Sequence, residues 1–125
     1  MPASEKLITA ESGLELYSWF FMRLSGIVLF ILALGHLIIM HVINTVENID
    51  DLFVAERLSN PFWQIYDWLL LTLAILHGLN GIRIIIDDYV HRPGLRLTLQ
   101  SLLYLTALLF FVAGSMVIWT FPSYP

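Results

Sequence analysis

A chain of 125 residues with 58% apolar and only 13% charged residues falls well short of the roughly one-quarter charged composition of soluble domains, and its mean hydropathy of +0.80 indicates an integral membrane protein. The net charge of −4 gives no basis for nucleic-acid binding. With no cysteine the chain has no disulfide and cannot itself hold an iron–sulfur cluster or a cysteine zinc site.

The first eighteen residues, MPASEKLITAESGLELYS, are polar and acidic, unlike a secretory signal or a mitochondrial transit peptide. A first span is expected over about 19–43, carrying Arg23, Ser25, Gly26, His36 and His41. The following loop, TVENIDDLFVAERLSN, places Leu52, Phe53, Ala55, Glu56 and Leu58 in a pattern suited to a short interfacial helix. Pro61 stands where a second span, about 62–86, can start. Pro93 and Gly94 mark the turn into a third, about 97–119, which carries no charge. Its Gly114 and Ser115 are expected to permit close helix packing. Aromatics lie where membrane belts belong: Tyr17, Trp19 and Phe20; Phe62, Trp63, Tyr66 and Trp68; Tyr89; Trp119 and Phe121.

The expected fold is therefore all-α, one membrane domain over 1–125 with three transmembrane helices. Lys6, Arg23, Arg92 and Arg96 bias the amino-terminal tail and the second loop to the cytoplasm. Three helices alone make a poor channel or transporter, so a bundle with a partner subunit is expected.

His77, inside LTLAILHGLNGIRIIIDDYV, is the most telling residue. An imidazole at membrane depth is costly and points to a function. At ~100° per residue, Asn80, Gly81, Ile84 and Asp88 share its side of the helix. Gly81 removes a side chain beside the imidazole, so a broad flat group is able to lie there. Asp88 closes the stripe about 16 Å along the axis, where the helix leaves the lipid. Haem, with a quinone-like site at the exit, fits that layout.

His36 lies about 25 Å beyond Trp19, whereas His77 lies about 22 Å in from Phe62 at the opposite belt. At different heights the two make poor partners on one iron. Either each holds its own haem opposite a histidine from a partner chain, or one is not a ligand. Arg23 is placed to meet haem propionates, with Ser25 and Gly26 allowing close approach; an ion pair to another subunit is the plainer alternative. His41 and His91 fall at interface depth and read as surface histidines. Asp67 and Arg83 are near enough to helix ends to reach water, and Asp87 is expected to be solvated.

The segment H-G-L-N-G-I-R-I-I-I-D-D-Y-V resembles the second helix of the small membrane-anchor (cytochrome b) subunit of succinate dehydrogenase, respiratory complex II. That resemblance implies a haem b ligand at His77 and a quinone site at Asp88 and Tyr89, with Tyr89 bonding the quinone head group. R-L-S-G-I-V-L-F-I-L-A-L-G-H is similar to a pattern in two-haem members, where the histidine ligates the haem farther from the soluble subunits. It maps that ligand to His36, while Arg23 matches an arginine near the haem propionates of one-haem members. Strict one-haem small anchors lack a counterpart of His36, so the resemblance leaves one or two haems, shared with a second anchor subunit.

It further implies that a flavoprotein subunit and an iron–sulfur subunit sit on the cytoplasmic face of a prokaryotic inner membrane. Arg83 would stabilise negative charge developing on the quinone. A quinol:fumarate reductase anchor is the alternative within the class, and a non-redox structural membrane protein the alternative outside it.

Overall fold

The computed structural model describes residues 3–121, with side chains from 13 onward. Helix α1 (Ala3–Leu37) continues into a π-helical segment (Ile38–Ile43). A 3-10 turn (Val46–Asn48) and short helix α2 (Asp51–Ser59) follow, then α3 (Pro61–Tyr89) and α4 (Pro93–Thr120). Among the described residues there is no strand. Gly13–Ile43, Pro61–Tyr89 and Pro93–Thr120 are each long and apolar enough to cross a membrane.

The expected spans all lie inside these stretches, and the helices overrun most of them at both ends. The polar amino-terminal segment extends α1 rather than forming a tail, since intrahelical bonds satisfy the backbone on either side of the lipid boundary. The boundaries follow from local chemistry. Asp50 caps α2, its side chain accepting from Phe53 N at 2.8 Å. Asn60 caps α3 by accepting from Phe62 N at 2.9 Å, with Pro61 in the first turn. Before Pro93, Arg92 is extended, as the proline ring requires. The turn is closed by Arg96, whose Nε and Nη2 donate to Val90 O at 3.0 and 2.9 Å.

The short helix expected here is α2. Leu58 is buried, but Leu52 points out and Arg57 points in. The guanidinium turns inward because a carboxylate and an aromatic face meet it there, as described below.

Helix α3 is the centre of the bundle. Against α4 it packs closely: a Cβ on Gly114 would lie 2.7 Å from Leu71 Cδ2, so a larger residue there would force Leu71 to shift. Trp68 Nε1 donates to Ser115 Oγ at 3.0 Å, and the Trp68 ring meets Phe111 and Trp119 at centroid distances of 6.1 and 6.2 Å. Gln64 Nε2 donates to Ile118 O. This is the packing role expected for Gly114 and Ser115. The chain encloses almost no core of its own: Leu58 and Ile118 are the buried apolar residues among those described, and Phe30 and Phe110 are about two-thirds exposed. Such a surface is stable only against lipid or other subunits.

Candidate functional site

Helices α1 and α3 run antiparallel, and their seam has a three-turn repeat. Ser25 and His36 are eleven residues apart on α1, as are Tyr66 and His77 on α3, so each pair shares a helix face. Antiparallel pairing then brings Ser25 opposite His77 and His36 opposite the Tyr66–Asp67 step. Both contacts are present.

At the end of the seam nearer the amino terminus, Ser25 Oγ lies 3.3 Å from His77 Nδ1. Ser25 is buried and also donates to Met22 O at 3.3 Å. When the Ser25 hydroxyl proton goes to Met22 O, the His77 tautomer that fits is the one whose Nδ1–H donates to Ser25 and whose Nε2 keeps its lone pair. Nε2 makes no hydrogen bond among the described residues. A Cβ on Gly26 would sit 3.2 Å from His77 Cε1, so Gly26 lets α1 close on the imidazole. The close approach expected at Ser25 and Gly26 is thus taken up by His77 itself. At Gly81, by contrast, an added Cβ would meet nothing within 4 Å, so α3 is open there.

Beside this contact is a cavity of about 670 Å³ lined by Leu14, Glu15, Ser18, Trp19, Met22, Arg23, Arg83 and Ile84. It brings Arg23 and Arg83 together from different helices. The Arg23 guanidinium stacks on Trp19 at 4.3 Å. Arg83, its side chain 36% exposed, also donates back through Nε and Nη2 to Asn80 Oδ1 at 3.3 and 2.9 Å. Asp87, 37% exposed, also has partners on this chain. Gln100 Nε2 donates to it at 2.7 Å, and Arg83 and Arg96 stand 3.6 and 3.9 Å away. Asp88 and Tyr89 are not drawn into the cavity. They stand at the end of α3, Tyr89 at 80% exposure, facing whatever covers that end.

About 16 Å along α1 from Ser25, the other end of the seam holds His36. Its Nδ1 is buried without a hydrogen-bond partner and lies 3.7 Å from Asp67 Oδ1, beyond hydrogen-bond reach but within ion-pair distance. Asp67 also departs from expectation: it faces inward and accepts from Arg57 Nε and Nη2 at 3.2 and 2.8 Å. The Arg57 guanidinium is stacked 4.1 Å over Trp63. Tyr66 OH donates to Leu32 O at 2.6 Å, a contact that the bare Gly35 backbone admits. Sequence reasoning missed Arg57 and Tyr66. The missing clue was Asp67, a carboxylate inside an apolar span that requires a cation, with Arg57 the nearest one in sequence.

Among the described residues no group of three His, Cys, Asp or Glu side chains could enclose a metal ion. What this chain offers is single imidazoles with Nδ1 turned to its own residues, an open flank at Gly81, and two arginines in one cavity. That donor set suits a group held from two sides by two chains.

The model of one family, described as succinate dehydrogenase/fumarate reductase transmembrane subunit, matches residues 1–113. A curated relative from Rickettsia typhi, named succinate dehydrogenase hydrophobic membrane anchor subunit, is 27% identical over 110 residues. The aligned region covers 88% of this chain and 84% of that protein.

Proposed function

The chain belongs to the succinate dehydrogenase/fumarate reductase transmembrane subunit family, and on that premise we propose that it helps a succinate:quinone oxidoreductase pass electrons from succinate to quinone. In this reading the chain shares haem b with a second anchor subunit and builds part of the quinone site. A flavoprotein and an iron–sulfur protein bind at the end carrying Tyr89, on the cytoplasmic side of a prokaryotic inner membrane. The relative's name favours succinate oxidation over fumarate reduction.

The observation that carries the haem reading is the shared arrangement of the two seam histidines. Each turns Nδ1 to a group of its own chain, Ser25 Oγ at 3.3 Å for His77 and Asp67 at 3.7 Å for His36. Orientation of a ligating imidazole through its second nitrogen is how proteins fix the tautomer that leaves Nε2 free for metal. The two heights suit two haems, His77 holding one and His36 the other. The open flank at Gly81 leaves room for a flat ring, and Arg23 and Arg83 line a cavity able to take carboxylates. When bound, haem supplies a one-electron carrier whose potential is set by its axial ligands and surroundings.

Ser25 holds the proton of His77 Nδ1 and thereby its ring angle. Arg23, stiffened on Trp19, presents positive charge to propionates. Tyr89 donates a hydrogen bond to a quinone carbonyl, Asp88 orients that site or relays a proton to it, and Arg83 stabilises charge as the head group is reduced.

The test is haem quantification and reduced-minus-oxidised spectra of the purified complex, for the native protein and for His77→Ala and His36→Ala. Two b-type haems are expected, one lost in each variant. An unchanged haem content in His77→Ala would sink that assignment. A single haem per anchor pair would leave His36 as a helix–helix contact, and no haem at all would favour a non-redox anchor.

A further inference from the structure

The acid–base chain around His36 has more parts than holding two helices together requires. Arg57 reaches in from α2 with its side chain only 6% exposed, makes a two-pronged contact with Asp67, and is backed by Trp63. Asp67, at 16% exposure, then presents the oxygen bonded by Arg57 Nη2 to His36 Nδ1 as well. Tyr66 fixes the register from the neighbouring position by donating to Leu32 O, one turn before His36. The orphaned Nδ1 faces the carboxylate and is too far by a few tenths of an ångström for a good hydrogen bond.

We infer that Arg57 and Asp67 are positioning residues for His36, setting its ring orientation and, through it, the redox poise of the haem that His36 holds. The inference rests on the reading of His36 as a haem ligand. A carboxylate accepting from Nδ1–H makes the imidazole a stronger electron donor, which favours the oxidised metal and lowers its potential. In a low-dielectric site the adjacent guanidinium offsets part of that charge. The two residues therefore pull in opposite directions. Helix α2, outside the membrane-spanning helices, thereby acts on a group inside them.

The experiment is a potentiometric titration of both haems in the intact complex, with low-spin electron paramagnetic resonance spectra. It compares the native protein with Asp67→Asn, Arg57→Gln and Arg57→Lys. Asp67→Asn is expected to raise the midpoint of the His36-dependent haem and to move its resonance signal. Arg57→Gln is expected to lower that midpoint, with Arg57→Lys restoring it in part. The His77-dependent haem, on the other side of the Tyr66 contact, should keep its midpoint throughout. Equal shifts at both haems, or lowered assembly of the complex with unmoved midpoints, would make the pair merely structural and overturn the inference. A native complex with one haem, unaffected by His36→Ala, overturns both the inference and the reading beneath it; two haems with unmoved midpoints overturn the inference alone.

Discussion

Helix α3 uses its two seams differently. Toward α4 it offers Leu71 and the Trp68 ring to Gly114, Ser115, Phe111 and Trp119, with polar contacts that end on a hydroxyl, a backbone carbonyl and, at the end of α3, the Asp87 carboxylate. Toward α1 it offers His77, Asp67 and Tyr66, and receives Ser25, His36 and the edges of two glycines. Both seams contain glycine, but for different ends. Gly114 admits an aliphatic side chain and brings two helices into van der Waals contact. Gly26 and Gly35 admit an imidazole edge and a phenol oxygen, which puts polar groups at fixed positions inside the membrane. One seam is built for adhesion, and the other places groups able to do chemistry.

The largest effect that would break this contrast is at Gly81, which faces open space on the His77 side of α3. Gly81→Val should leave the chain's own packing intact, since its Cβ meets nothing, yet abolish the His77-dependent haem by filling the flank where the ring is proposed to lie. Gly78→Val is the control: it too has nothing within 4 Å but points away from the histidine stripe. Spectra of the two purified complexes decide it. Equal haem in both variants would show that the open flank is not where haem sits.

Next in size is Gly114→Val, which tests the adhesive seam. Overpacking against Leu71 should cost about 1–3 kcal/mol, read as a lower midpoint in thermal or denaturant unfolding of the detergent-solubilised complex. Its haem spectrum should match the native one until the complex comes apart. A spectral change below that point would mean that the α3–α4 seam also supports the haem site, and the division of labour between the seams would fail.

How legible this was in the sequence differs between the seams in the same way. The three spans, the helix start at Pro61 and the packing role of Gly114 and Ser115 follow from periodicity, proline placement and residue size, all of which are local. The His77 stripe was legible because one helix carries it. The surroundings of His36 were not, because they join three elements: Arg57 from α2, Asp67 from α3 and His36 from α1. Taken one at a time, Asp67 and Arg83 look like snorkelling residues. Only the antiparallel register, which brings the residues of α1 and α3 face to face, turns Asp67 inward to a shared partner. Tyr89 raises the opposite difficulty: its position was clear, but it makes no hydrogen bond among the described residues.

Tyr89 belongs to neither seam, and this makes it the finest test of the contrast. The side chain is 80% exposed at the end of α3 and makes no hydrogen bond among the described residues. Removing its hydroxyl should therefore leave both helix contacts untouched. If Tyr89 donates to a quinone carbonyl in the assembled complex, Tyr89→Phe forfeits one hydrogen bond, about 0.5–1.5 kcal/mol, or more in a dry site. That corresponds to a defect of roughly threefold or greater toward quinone. Succinate oxidation measured with a soluble dye bypasses the membrane subunits and should stay at the native rate. Asp88→Asn should act in the same quinone assay through lost charge or proton delivery rather than through that hydrogen bond. If dye and quinone rates fell together in both variants, the fault would lie in assembly, and Tyr89 would be an interfacial aromatic whose contribution is packing at the membrane surface.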